Sequence, residues 1–332
     1  MIRPVARLAK LVSAALLFAA CGSKISPTAD PATWQIAKPY LYTGYFENAT
    51  NPYIEDLTTR LSSSEGPGTS MSKSEFVALI DRPESREVYS EKLIKIATPK
   101  SVEIQNQEHS NFLNVFMREK RLVAGVSFLS SQSTTLTEAE QLYGVAQQDI
   151  VSILMWESGL GEFTGNLKVF NVLMGQLLFL DVAAEYAIGE MIAAGDSSYS
   201  GEEDSLGRQE ERFDRIKKRC VNNLVALLRQ SKSSGTDPLG HLGSWGGAIG
   251  YPQFMPFSMV YAVDGDGDGK VDLHTWPDAI MSVGNYLKQR GEYGPDLEDR
   301  RGAIHSYNPI DSYVDGVIAF ADTIWARHQA AQ

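Results

Sequence analysis

Of the chain's 332 residues 43% are hydrophobic, enough to build one or two cores of ordinary size without covalent staples. Its two cysteines, Cys21 and Cys220, provide no disulfide framework, and no stretch beyond the N-terminal segment is apolar for long enough to cross a membrane. A net charge of −11 argues against nucleic acid as a partner.

The first element reads as a signal sequence. Arg3, Arg7 and Lys10 precede an apolar run from Leu11 to Ala20, too short to span a bilayer as a stable helix, which ends in the small residues Ala19, Ala20 and Cys21. The string Leu17-Phe18-Ala19-Ala20-Cys21 resembles a bacterial lipobox, whose cysteine is diacylated and becomes the mature N-terminus; ordinary secretion is the alternative. This predicts loss of residues 1–20, lipidation of Cys21 and a mature charge of −14, because the lost segment carries three cations and no anion. Residues 21–33 read as a flexible tether from a membrane to a folded body that begins near Trp34. Gly22 and Ser23 lack the Asp that commonly signals inner-membrane retention, which favours the outer membrane and the periplasmic face of the envelope.

From residue 34 to about 131 the apolar spacing is helical, through Phe76, Leu79 and Ile80 and again through Phe112, Val115 and Phe116, with Pro83 and Pro99 as breaks. This predicts an N-terminal helical lobe without an ionisable cluster suited to chemistry. Residues 132–332 form the predicted second domain. A helix is expected over Leu136–Tyr143, opened by a Thr137-x-x-Glu140 capping pattern. The next runs from Gln147 to Trp156 and ends at Glu157-Ser158-Gly159-Leu160-Gly161, where two glycines stop it. A long apolar helix over Val169–Ala194, an acidic loop over Ser197–Asp204 and a helix over Glu210–Ser231 follow; strand signals are few and short.

Glu157 carries the chemical interest of this pattern. On a helix it shares a face with Ile153 and Leu154, and a carboxyl in aliphatic surroundings has its ionised form disfavoured and its pKa raised, as a general acid near neutral pH requires. A helix-end Glu that reaches solvent is the bland alternative. Further on, Ser244 to Pro256 is rich in glycine; its glycines permit close backbone approach to a ligand, Gln253 offers a donor and an acceptor, and Phe254 a flat apolar surface. An ordinary Gly-rich turn is the alternative there.

Asp264-Gly-Asp266-Gly-Asp268-Gly269-Lys270-Val271-Asp272 reproduces nine positions of an EF-hand loop, with oxygens at positions 1, 3, 5 and 9 and glycine at 6. Closely spaced carboxylates repel without a cation, and hard oxygen ligands in that number favour Ca²⁺ over Mg²⁺ or a transition metal. Position 12 is Thr275, which has no carboxylate to give.

Taken in order, Tyr143-Gly144-Val145 through Glu157 to Gly165, then Ser244-Trp245-Gly246-Gly247-Ala248-Ile249-Gly250-Tyr251-Pro252-Gln253-Phe254-Met255-Pro256, then Tyr307-Asn308-Pro309 and Tyr313, resemble the motifs of the membrane-bound lytic murein transglycosylase B family. That family is a branch of the lysozyme-like superfamily, glycoside hydrolase family 103. Pro252 and Phe257 stand where the family usually has small residues, and the stretch between the Glu157 helix and Ser244 matches little.

The resemblance implies a mainly α fold: a lysozyme-like catalytic core with an additional helical lobe, a small β element and an EF-hand-like calcium loop over 264–278. It implies Glu157 as the single catalytic acid and base, with Ser244, Gln253, Phe254, Tyr286, Asn308 and Tyr313 lining a glycan cleft. For Asn308, followed by Pro309, a plain turn role stays open. It also implies a late calcium ligand at Asp278, joining Asp264, Asp266, Asp268 and the Lys270 carbonyl, with Asp272 as a further option. The expected partner is the glycan strand of peptidoglycan, cut without water to leave 1,6-anhydroMurNAc ends. A water-using muramidase and a non-catalytic wall-binding lipoprotein are the alternatives.

Overall fold

The computed structural model describes residues 52–63, 68–98, 117–193 and 203–332. Cys21, the signal sequence and tether, Pro99 and the Phe112–Phe116 segment lie outside the described residues. Helices dominate, as the apolar spacing predicts, and the only sheet among the described residues is a two-residue antiparallel ladder.

The described residues of Met1–Ser101 and Phe170–Leu239 form one unit; those of Val102–Val169 and Gly240–Gln332 form a second. The boundary therefore does not fall at 131/132. The first unit holds α1 (Pro52–Ser62), α2 (Lys73–Ile80), α3 (Ser90–Ala97) and nearly all of two long helices, α7 (Val169–Ala193) and α8 (Glu203–Ser234). Ser72 opens α2 with a reciprocal cap: its Oγ accepts from the Glu75 N–H while the Glu75 carboxylate accepts from the Ser72 N–H. Leu93 and Ile96 of α3 pack with Leu180 and Ala184 of α7 and Phe213 of α8, so these later helices supply the lobe's missing apolar face. Cys220 is buried and free within α8. Because α8 begins at Glu203, the last two residues of the expected acidic loop are helical.

The second unit comprises α4 (Glu119–Ser131), α5 (Ser133–Tyr143), α6 (Gln147–Ser158), the strands β1 (Leu167–Lys168) and β2 (Leu242–Gly243), α9 (Trp276–Gln289), α10 (Leu297–Tyr307) and α11 (Asp311–Ala330). It claims α4 because Gly125 lies directly against Phe320 and Ile324 of α11, a contact that leaves no room for a side chain. Thr137 does not open a helix. The structure starts α5 at Ser133, which places Thr137 and Glu140 one turn apart inside it, where the same i, i+3 spacing arises without capping.

At the centre lies α6, with Ile150, Val151, Ile153, Leu154 and Met155 all completely buried. It is covered by α4, α5, α9 and α11. Gly159, at φ 63°, ends it in the left-handed conformation, its N–H reaching the Met155 carbonyl while Leu160 N–H reaches that of Leu154. This closure leaves Glu157 in the last turn.

Candidate active site

Glu157 stands at the carboxyl end of α6, where the helix dipole already disfavours negative charge. The side chain is half-buried, and the protein crowds its carboxyl densely enough that burial lifts the pKa from an ordinary 4.5 to about 7. One contact opposes the shift: the Tyr313 hydroxyl donates to Glu157 Oε1 at 2.6 Å, a hydrogen bond that favours the ionised form. Burial wins, so the group holds its proton far closer to neutral pH than an ordinary carboxyl does. The predicted perturbation has the expected sign and is joined by an aromatic wall that the aliphatic spacing did not reveal.

That wall consists of Tyr286 on α9, Tyr307 at the end of α10 and Tyr313 near the start of α11. All three phenols are raised above their ordinary pKa, first by burial and then in part by the Glu157 charge. Tyr286 meets Tyr307 edge-on at 4.8 Å between ring centres and donates to the Ser306 carbonyl at 2.9 Å. Among the described residues, no second carboxylate contributes to the Glu157 shift.

The glycine-rich segment forms the adjoining loop. Gly250 has φ 72° and sits so close to Leu273 that no side chain fits, which is why the turn needs glycine there. Gln253 holds a left-handed backbone at φ 51°, unusual for a non-glycine residue. Its amide nitrogen secures the loop, donating to Gly250 O at 2.8 Å and Thr164 O at 3.3 Å, while its Oε1 accepts nothing among the described residues. Ser244 caps the turn by accepting from the Ala248 N–H at 3.2 Å. The Tyr307 hydroxyl donates to the Pro252 carbonyl and ties this loop to α10.

Phe254 differs from expectation. It is 2% exposed, and its ring packs against Tyr286 and Tyr307 rather than presenting a free face. Tyr286 and Tyr313, at 8% and 3%, are likewise buried parts of the wall. Asn308 ends α10 with an extended backbone, half-buried, and its side-chain amide makes no hydrogen bond among the described residues. The structure thus joins Glu157 and Tyr313 directly and groups Phe254, Tyr286 and Tyr307 beside them. Ser244 and Gln253 occupy the neighbouring turn.

Two charged groups near α6 escaped the sequence reading. Arg121 from α4 lies at the carboxyl end of the helix, 2.9 Å from Glu162 and close beneath Gly159. Asp149, in the first turn, has no exposed surface and accepts from Arg300 and Tyr293. As the only charged residue between Gln147 and Trp156, Asp149 was itself the signal of a buried partner.

In the acidic loop, Asp264, Asp266 and Asp268 bring carboxylate oxygens within 4.8 Å of one another. The turn is held by Asp264, whose oxygens accept from Gly267 N–H at 2.7 Å and Gly269 N–H at 2.8 Å, and Lys270 N–H donates to Asp268 at 2.8 Å. Asp278 lies outside that trio. Buried in the first turn of α9, it clamps the loop from beneath by accepting from Gly265 N–H at 2.7 Å and Asp272 N–H at 2.6 Å. Asp272 itself accepts from His274 N–H. Thr275, at the twelfth position, has a buried hydroxyl with no hydrogen-bond partner among the described residues. An all-oxygen set with three converging carboxylates fits a hard divalent cation.

A family model described as the transglycosylase SLT domain matches residues 69–296. Over 177 residues the chain is 31% identical to membrane-bound lytic murein transglycosylase B of Escherichia coli strain K12, which covers 53% of this chain but only 40% of that protein. Among solved structures, the Escherichia coli lytic transglycosylase Slt35 in complex with bulgecin A superposes with a TM-score of 0.59 at 19% identity, over 85% of this chain and 95% of that one. The same enzyme in complex with calcium gives 0.58 at 19%, with the same coverage. At that identity the likeness establishes the fold, which is the expected lysozyme-like one. Since the matched stretch contains both the Glu157 helix and the glycine-rich loop against it, the chain belongs to the transglycosylase SLT domain family.

Proposed function

We propose that this chain is a lytic transglycosylase of peptidoglycan that cleaves the bond between N-acetylmuramic acid and N-acetylglucosamine with Glu157 as its single acid and base. The observation that carries the reading is the Glu157 carboxyl: held near pKa 7 by burial, hydrogen-bonded by Tyr313, and, among the described residues, without a second carboxylate shifting it. A glycosidase that uses water needs two such groups. Here Glu157 protonates the glycosidic oxygen and the leaving sugar departs. The carboxylate so formed takes the proton from the muramic C6 hydroxyl, whose oxygen closes onto the anomeric carbon, giving a 1,6-anhydro end with no water consumed and Glu157 reprotonated. Because the nucleophile belongs to the substrate, proximity replaces the second carboxylate. The half-buried Gln253 Oε1 and Asn308 amide are the polar groups left for the sugars, with Ser244 beside them.

The similarity to a lytic murein transglycosylase, and to a lytic transglycosylase bound to bulgecin A, supports this substrate class. That the Escherichia coli relative is membrane-bound supports lipid anchoring through Cys21 at the periplasmic face of the envelope, in the outer membrane by the reading of Gly22 and Ser23. A role in cell-wall turnover or remodelling follows from the product.

Calcium is proposed at the acidic loop, a reading supported by the similar Slt35 having been solved in complex with calcium. Asp264, Asp266, Asp268 and the Lys270 carbonyl would hold it, with Asp278 contributing through lone pairs its two N–H donors leave free. There it would neutralise the trio and stiffen the chain between the Gln253 loop and α9, a structural contribution.

Purified peptidoglycan incubated with the protein and analysed by mass spectrometry tests the reading. The expected products are anhydromuramyl ends, lost in Glu157→Gln. Reducing ends would instead indicate a hydrolytic muramidase, and binding without release a wall-binding protein.

A further inference from the structure

The polar contacts joining α6 to α11 form a ladder. At one end Tyr313 donates to Glu157 at 2.6 Å; in the middle Ser152 Oγ donates to the Val317 carbonyl at 2.7 Å. At the other end Arg300 bridges Asp149 of α6 and Asp322 of α11, at 2.5 and 2.9 Å. Numbers fall along α6 as they rise along α11, so the helices run antiparallel and the three ties agree on one register. Around these ties α6 presents aliphatic side chains and the Trp156 ring, which lies close against Gly316 and edge-on to Tyr313 of α11. Apolar attraction is itself non-directional, so the polar ties add direction to the register that this packing favours.

Arg300 belongs to neither helix. It reaches in from α10, its Nε donating to Asp149 Oδ2 at 2.7 Å and its Nη2 to Oδ1, while Tyr293 donates to the same carboxylate at 2.6 Å. Asp149 has no exposed surface. Such a pair seldom adds net stability, because desolvation consumes most of the attraction and apolar residues of equal volume often do better. What a planar fork on a buried carboxylate does supply is a fixed position.

We propose that Arg300 is a positioning residue: by clamping Asp149 and Asp322 it sets the axial register of α6 against α11 and so keeps Glu157 within reach of the Tyr313 hydroxyl at the opposite end of the pair. Arg300 touches no reacting atom. Eight residues of helix, about 12 Å, separate Asp149 from Glu157, and a helix transmits axial displacement nearly rigidly. A slip with a component of about 1 Å along the bond would stretch the 2.6 Å hydrogen bond beyond its useful range, and a slip across it would spoil its alignment. The inference takes its functional meaning from the reading of Glu157 as the acid, but its geometry stands without it.

Arg300→Met alone would strand the Asp149 charge and unfold the chain. The test therefore uses the pair Asp149→Leu/Arg300→Met, which removes both charges, and Asp322→Asn, which cuts only the exposed arm. Carbon-13 labelling of glutamate side chains, with Glu157→Gln for assignment, follows the Glu157 titration without requiring turnover. The groups facing Glu157 are Tyr313 from α11, Tyr307 from α10 and Tyr286 from α9, all neutral through the range measured.

With the fold retained, the Glu157 midpoint is expected to move above its value of about 7 in the paired variant, and less far in Asp322→Asn. Neither shift should appear where Tyr313 is already Phe. On peptidoglycan, kcat should fall on the order of ten- to a hundredfold with KM nearly unchanged. Arg300→Lys should recover only part, since an ammonium cannot span both oxygens. Wild-type titration in the paired variant, or a shift that persists in the Tyr313→Phe background, overturns the proposal; should the pair fail to fold, Asp322→Asn decides by the same criteria. A wild-type protein without turnover but with the expected titration shifts would refute the enzymatic reading and support this one.

Discussion

Replacing Glu157 by Gln keeps the side chain's shape and removes its titration, so the stability difference between the two proteins isolates what the charge costs. Burial lifts the carboxyl from an ordinary 4.5 to about 7. Between about pH 4.5 and 7 the folded protein holds a proton that the unfolded chain has released. Wild-type stability from this group is therefore fully present below pH 4.5 and is lost as the pH climbs through 7, while the Gln variant has no such term. The gap of about 2.5 pH units, at 1.36 kcal/mol each, sets a ceiling of ~3.4 kcal/mol. Because the side chain is only half-buried and keeps water on one side, about 2 kcal/mol is the expected effect. Urea unfolding of both proteins from pH 4 to 8 measures it: the advantage of Glu157→Gln should grow by about that amount across the window, with unchanged denaturant slopes. A flat difference, or one that shrinks with rising pH, would refute the argument that burial dominates this carboxyl.

Tyr313→Phe removes the donor that favours the ionised form, so Glu157 should bind its proton more tightly. A hydrogen bond to a charged group contributes about 1.5–3 kcal/mol, part of which the neutral carboxyl keeps, so a change of roughly tenfold in proton affinity is expected. The alkaline limb of the kcat/KM profile on peptidoglycan should move upward by about one pH unit; an acidic displacement would contradict the assignment. At the acidic loop, Ca²⁺ should raise the melting temperature of the wild type and not that of Asp266→Ala/Asp268→Ala, and equal melting of the wild type with and without the ion would remove the site. Asp278→Ala should cost about 1 kcal/mol even without metal, since the part-buried N–H groups of Gly265 and Asp272 lose their acceptor.

Much of this was legible from local chemistry. The apolar run before Glu157, the glycines that end it and the glycine-rich turn each satisfy a backbone requirement that a few adjacent residues express, and the structure meets them there. Features that depend on distant partners were not legible. Phe254 reads as a ligand surface beside Gln253, yet whether an aromatic face is free depends on Tyr286 and Tyr307, which arrive from two later helices. Asp149 announces that a buried charge needs a partner, but Arg300 lies 151 positions away and nothing in its own surroundings marks it. Thr137 misled because the Thr-x-x-Glu spacing belongs equally to a helix start and to one turn of its interior. The lobe boundary misled for a related reason: the apolar faces that complete the first unit are contributed by helices that follow the second unit's first segment.

That interleaving has a consequence for how the molecule is made. The chain begins the second unit, leaves it after residue 169 and returns only at residue 240, so α6 leaves the ribosome long before α9 and α11, two of the four helices that cover it. At about 5–20 residues per second, its aliphatic surface waits on the order of ten seconds or more for α9 and α11. During that interval the nascent α6 is a target for chaperones and for wrong partners. The shielding of its apolar surface then depends on how soon the last helix, with Val317 and Phe320, emerges.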